Sequence, residues 1–350
     1  ARRFISDTQQ DNRRQLVDQL LESDEFNEYW TLRLAKLLRI RSQPQDQQGA
    51  LAYHRWLKQQ IADETGYDRM TQRILTATGD THKQGPANFY RTVAGPREQA
   101  ELTSELFMGC RLRCAICHNH PLDRWTQDEY HGLAAIFAKV QSGRVIRVNM
   151  RGAVTHRRTG ENAVPRIPGG RFLDNSGDVR ESLALWLTDR SNPYFAKAMV
   201  NRLWKAMFGR GLVEPADDLR ATNPPTHPEL LDRLACDFVE HGYNMRRTLE
   251  LMALSDAYGR SNRPLPHSAA DDRFYSHARE KPLEAEVLVD AIAQATGVPQ
   301  RYEDEPLGVR AVQLFDSQTP SAALDVLGRC SRTESCEGDS MRGGLPAKLH

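Results

Sequence analysis

The stretch Asp24-Glu25-Phe26-Asn27-Glu28-Tyr29-Trp30-Thr31-Leu32-Arg33-Leu34-Ala35-Lys36-Leu37-Leu38 decides the fold class. Trp30, Leu34, Leu37 and Leu38 recur at the three- and four-residue spacing that gathers side chains on one face of a helix. Asp24 stands where a capping residue belongs. The same spacing returns on both sides. Leu16, Val17, Leu20 and Leu21 mark a helix over residues 11–22. After a polar loop at 42–48, helices follow over 49–64 and over 68–78, the latter carrying Met70, Ile74 and Leu75. Pro96 suits the first position of a helix running to Gly109. Thr126 caps another, with Tyr130, Leu133, Ile136 and Phe137 on one face.

The pattern then changes. Val145, Ile146, Val148 and Val154 predict one short hairpin within 143–158. Residues 159–177 hold four glycines and two prolines, and read as a linker. Helical stripes resume near 178–188, 192–208, 227–241, 245–256 and 281–296, with Pro193 and Pro228 placed as first-turn residues. The polar stretch 259–280 reads as an exposed loop. The expected fold is mainly α: a helical domain over 1–158, a linker over 159–177 and a second helical domain over 178–350, with a short β-hairpin near the junction.

The chain has 350 residues, and its 47 basic and 46 acidic residues leave a net charge of +1. Such a balance predicts no strong electrostatic pull toward nucleic acid or anionic membranes. No apolar run approaches the roughly 20 residues that cross a bilayer. The chain opens Ala1-Arg2-Arg3-Phe4 without an apolar leader and stops at Leu349-His350. It is expected to be a fragment or a processed chain, with segments missing at both ends.

Chemistry is concentrated in Cys114-Ala115-Ile116-Cys117-His118. Covalent haem attachment adds two thiols to the two vinyl groups of the porphyrin. Two intervening residues let a short helical turn bring both sulfurs to one edge of the ring, and the next histidine supplies its imidazole to the iron. Cys114 and Cys117 are thus candidate anchors of one haem c, and His118 its candidate proximal ligand. The alternative is zinc or another metal on Cys114, Cys117, His118 and His120. These four are crowded into seven residues, whereas zinc sites draw on two separated pairs.

Trp125 is placed to pack on a porphyrin edge, and Arg111, Arg113 and Arg124 to pair with propionates. For the sixth iron position His120, His131, His156 and His227 are candidates, together with Met108 and Met150. A filled position makes an electron-transfer centre, and an open one a ligand-binding or redox-active one. Cys330 and Cys336 are close enough to pair, which suits an oxidising compartment. Cys236 reads as a buried small hydrophobe. Asp217, Asp218, Arg220, Asn223 and His227 form a polar cluster, read mainly as a capping and salt-bridge corner that Asn201 and Arg202 also reach. Thr155-His156-Arg157-Arg158 reads as an exposed basic turn, with contact to a haem propionate as the alternative.

The run from Phe107 to Gln127 resembles the signature of the planctomycete cytochrome-like domain, a family of unknown function that contains CxxCH. Leu16-Val17-Asp18-Gln19-Leu20-Leu21 and Ile74-Leu75-Thr76-Ala77-Thr78-Gly79 resemble it too. The second half is similar to the companion domain that commonly follows. The stretches that carry this are Asn192-Pro193-Tyr194-Phe195-Ala196, Val200-Asn201-Arg202-Leu203-Trp204, Phe208-Gly209-Arg210-Gly211-Leu212-Val213 and Asn223-Pro224-Pro225-Thr226-His227-Pro228. Cys110 departs from the usual pattern. The resemblance implies an exported, redox-active protein, periplasmic or at the cell surface.

Three functions are therefore expected in turn. The first is a mono-haem electron carrier working with a redox partner or a neighbouring copy. The second is a haem- or metal-dependent redox or glycan-active enzyme, with a site at the domain junction around Asp217, Asp218 and His227. The third is a cell-surface structural or assembly protein stapled by haem or metal.

Overall fold

The computed structural model describes residues 11–174 and 177–336. The fold is mainly helical, 47% helix and 4% strand. Its contacts gather into two compact units. Of the described residues, one takes those up to 64, then 203–210, then those from 245; the other takes those within 65–202 and 211–244. The stretch 159–177 falls inside the second of these.

The first unit contains α1 (Asn12–Leu21), α2 (Asp24–Leu37), α3 (Gln47–Ala62), α10 (Met245–Leu254), α11 (Ala285–Thr296) and α12 (Ala322–Val326). Helix α2 starts one residue earlier than Asp24 suggested: Ser23 accepts from the Phe26 amide, and Asp24 and Glu25 fill the first turn, where the helix dipole favours acids. Helix α2 packs on α3, and α1 on α10. A small core joins Ala285, Val289, Tyr302, Ala311, Leu314 and Leu324. Beside it sits a buried charge cluster. Lys36 bridges Glu284 at 2.5 Å and Glu286 at 2.8 Å, and Arg33 also holds Glu284. Glu28 takes Arg310 and Gln313. Cys330 and Cys336 are joined, with Cα atoms 6.3 Å apart. Their loop covers the end of α2: the Cys336 amide, Ser335 Oγ and Arg332 Nη1 donate to the carbonyls of Lys36, Leu37 and Ile40. An open groove of about 630 Å³ runs along α11, lined by Tyr29, Val287, Ala291 and Val309.

The second unit contains α4 (Tyr67–Leu75), α5 (Pro96–Thr103), α6 (Gln127–Ile136), α7 (Arg180–Leu187), residues 195–202 of α8 (Phe195–Phe208), and α9 (Pro228–Glu240). Helix α5 packs on α6 and α4 on α7. A three-stranded antiparallel sheet has the order β1-β3-β2: Gly79–Asp80, Val145–Val148 and Val140–Gln141. Ile146 faces Gly79, and Val148 faces Val140. The expected hairpin is corrected in its pairing. Val145–Val148 folds back on the preceding strand and not forward onto Val154, because the tight link after Gln141 is short enough for a hairpin while Gly152 lies against the Ala138 carbonyl. Val154 is buried outside any strand.

Two further expectations are corrected. The helix begun at Pro193 starts at Phe195, with Asn192 Oδ1 accepting from the Tyr194 and Phe195 amides. Cys236 is exposed. Helix α9 buries Leu231, Ala235 and Phe238, and position 236 falls off that stripe.

Candidate cofactor-attachment site

The cysteine segment is built by what ends before it and what begins after it. Helix α5 continues into a π-helical turn, Ser104–Met108. Gly109 stops it in the left-handed region, at φ +62°, where a Cβ would also strike Leu219 Cδ1 at 2.7 Å. A short 3-10 turn, Arg113–Ile116, follows, closed by the Ala115 amide on the Leu112 carbonyl at 2.8 Å. Ala115 points into the core, so Cys114 and Cys117 on either side are left exposed. Helix α6 then begins with a complete capping box between Thr126 and Glu129.

The first turn of α6 grips the segment. The Gln127 amide donates to Asn119 Oδ1 at 3.1 Å, and Gln127 Nε2 to the Ile116 carbonyl at 3.3 Å. His118 is exposed, with Nδ1 2.8 Å from the Asn119 carbonyl oxygen. A carbonyl only accepts, so Nδ1 carries a proton, and in the neutral ring the lone pair is on Nε2. A carbonyl bonded to Nδ1–H in this way fixes the tautomer of a metal-binding histidine. Two exposed thiols next to an imidazole with a free Nε2 make a donor set that fits a covalently held haem.

His131 is fully buried against the inner side of the segment. Its Nε2 lies 3.2 Å from the Ile116 carbonyl oxygen and 3.4 Å from the Arg157 amide, and its Nδ1 is buried without a hydrogen-bond partner. Burial and the neighbouring His156 ring hold its pKa below the usual histidine value. The two rings stand 4.4 Å apart, and His156 Nε2 meets Asp128 at 2.9 Å. The turn at 155–158 is therefore not simply exposed: His156 is buried, while Arg157 lays Nη1 3.3 Å from Cys117 Sγ.

The structure thus brings Cys117, Arg157, His131 and His156 into one chain of contacts. His120 sits within the loop, its Nδ1 accepting from the Leu122 amide at 3.2 Å. His227 lies at the start of α9, beside Thr226 Oγ1. Met108 is buried and Met150 exposed. Trp125 is 1% exposed, under the Arg124 guanidinium at 4.7 Å and against Tyr194 at 5.6 Å. Arg113 is exposed, whereas Arg111 is held by both oxygens of Asp217, at 2.8 and 2.7 Å. Asp218 meets Arg220 at 3.5 Å, and Asn223 bonds the Glu214 and Asp218 carbonyls, so this corner is a set of caps and ion pairs. Asn201 pairs with the backbone of Val213, and Arg202 caps the π-helical turn through the Leu106 and Glu105 carbonyls. Among the described residues no three His, Cys, Asp or Glu side chains are grouped to hold a bare metal ion.

Residues 1–142 match the model of PSCyt2, a protein of unknown function (DUF1549), and residues 179–337 match that of PSD1, a protein of unknown function (DUF1553). The chain carries this planctomycete-type pair in that order. No curated protein and no solved structure matches it. The motif lies within the first matched region, and Asp217, Asn223 and His227 within the second. Among the described residues no helix is long and apolar enough to cross a membrane.

Proposed function

We propose that Cys114 and Cys117 carry one haem c, that His118 is its proximal ligand, and that the protein is an extracytoplasmic electron carrier. The observation that carries this reading is the pair of exposed thiols on one short turn, next to an exposed imidazole whose Nδ1–H is committed to the Asn119 carbonyl. Bound haem supplies a one-electron iron centre. The chain's own residues prepare for it. Arg157 Nη1 lies 3.3 Å from Cys117 Sγ and ties the 155–158 turn to the second anchor. Asn119 holds the His118 tautomer that leaves Nε2 free. Gln127 and His131 converge on the Ile116 carbonyl and fix the turn between the two anchors. The Cys330–Cys336 bond suits an oxidising compartment.

The test is the protein made in a host that matures c-type cytochromes, beside a Cys114→Ser/Cys117→Ser double variant. The wild type is expected to keep its haem through denaturation, and the double variant to lose it. A wild type that releases all colour on denaturation, or never acquires any, overturns the proposal. Metal analysis of such a sample then asks about Cys114, Cys117, His118 and His120 as a zinc site.

A further inference from the structure

We infer that the region matching the second family is the other half of the cysteine-loop site: it clamps the loop at both ends, and the two matched regions fold together. Within its own matched region the loop has short-range bonds, Ala115 to Leu112 and His120 to Trp125, and α6 holds its middle through Gln127 and His131. A surface loop is costly to order, and its two ends are held from the other matched region.

At its entry, the Leu219 amide donates to the Gly109 carbonyl at 2.8 Å, and Asp217 holds Arg111 through two bonds. Just upstream, Arg202 reaches the Leu106 and Glu105 carbonyls at 2.7 and 2.6 Å. At its exit, Thr222 Oγ1 donates to the Leu122 carbonyl at 3.0 Å, and Tyr194 packs on Trp125. All five of these residues belong to residues 179–337, whereas the motif belongs to 1–142.

The same interleaving recurs away from the loop. Arg180 caps the chain after α4 at the Ala77 carbonyl and lies 4.9 Å from the Tyr90 ring. Tyr67 stacks on Phe195 at 5.1 Å. Within the first unit, Glu284, Glu286 and Arg310 take the charges of Arg33, Lys36 and Glu28. Each compact unit is therefore made from both matched regions. The inference rests on the haem reading only for what the loop carries; the clamp stands on these contacts alone.

The test uses the full chain, made without haem. A protease recognition sequence is inserted after Gly177, which is exposed and where an added Cβ meets nothing within 4 Å. The chain is cut after folding. The two pieces are expected to co-elute in native buffer and to part in denaturant; pieces that part in native buffer overturn the inference. In parallel, an uncut Asp217→Ala/Thr222→Val variant is followed by hydrogen exchange. Peptides over 110–122 should exchange about fivefold faster, and peptides over 67–75 at the wild-type rate. Unchanged exchange over 110–122 also overturns it. Both readouts are taken on colourless protein, so neither depends on whether haem attaches.

Discussion

Arg202→Met is the sharpest test of how the fold presents the cysteine segment. Arg202 is 7% exposed and sits on α8, with its guanidinium forked onto two carbonyls of the Ser104–Met108 turn at 2.7 and 2.6 Å. Those carbonyls end a helix, where the dipole leaves partial negative charge and no intrahelical donor. A hydrogen bond to a charged group contributes about 1.5–3 kcal/mol, so two set a ceiling of about 3–6 kcal/mol. Methionine keeps the apolar stem buried and removes the cost of burying a charge, which offsets part of the loss. The net expectation is a destabilisation of about 3 kcal/mol, read as a lower urea midpoint at unchanged slope. Amides over 104–112 should lose protection first. Arg202→Lys should recover less than half, because an ammonium is a point donor and does not reproduce a planar fork. A loss under about 1 kcal/mol, or full rescue by lysine, refutes the reasoning.

Three further outcomes are expected. Replacing both Cys330 and Cys336 by serine frees a short loop and should cost about 2 kcal/mol by loop entropy, with protection lost at the end of α2 near Lys36 and Leu37; equal stability of oxidised and double-serine protein counts against the clasp. Lys36→Met leaves Glu286 buried without its cation and should destabilise by about 3 kcal/mol in a urea titration; a neutral result means that the cluster is solvated. The last concerns acid. Burial, with Arg332 nearby, pushes the pKa of His54 down to about 3. A depressed value means that the unfolded chain binds the proton more readily. This contribution is therefore complete above the ordinary value of about 6.5 and is lost as the pH falls toward 3, up to a ceiling of about 4–5 kcal/mol. His54→Leu should flatten that part of the stability–pH curve, and curves for variant and wild type that stay parallel between pH 7 and 4 contradict the assignment.

Much of this architecture is legible along the chain because the signals are local. The stripe of Trp30, Leu34 and Leu37 and the Thr126 capping box each lie within one turn or two of what they determine. The motif is legible for the same reason: its chemistry needs two thiols and an imidazole at fixed short spacing. What is not legible is long-range. Gly79–Asp80 joins the sheet through residues 66 or so positions away and carries no strand pattern of its own. Asp217, Thr222 and Arg202 are ordinary polar residues until the fold brings them to Arg111, Leu122 and Leu106. His156 lies in a run of basic residues that suggests an exposed turn, yet Asp128 and the His131 ring draw it inside. Cys236 errs the other way: its helix is apolar on one face, and one residue of phase moves the thiol to solvent. Gln127 was within reach of sequence reasoning, since the amide after a capping residue needs an acceptor, and Asn119 supplies it.

The most direct test of the central claim is the intact mass of the denatured protein, matured in a c-type cytochrome host, with oxidised and dithionite-reduced spectra of the same sample. The expected result is the mass of the chain plus one haem, with sharp reduced α and Soret bands; added carbon monoxide then shows whether the sixth position is open. A colourless protein at the mass of the unmodified chain contradicts it.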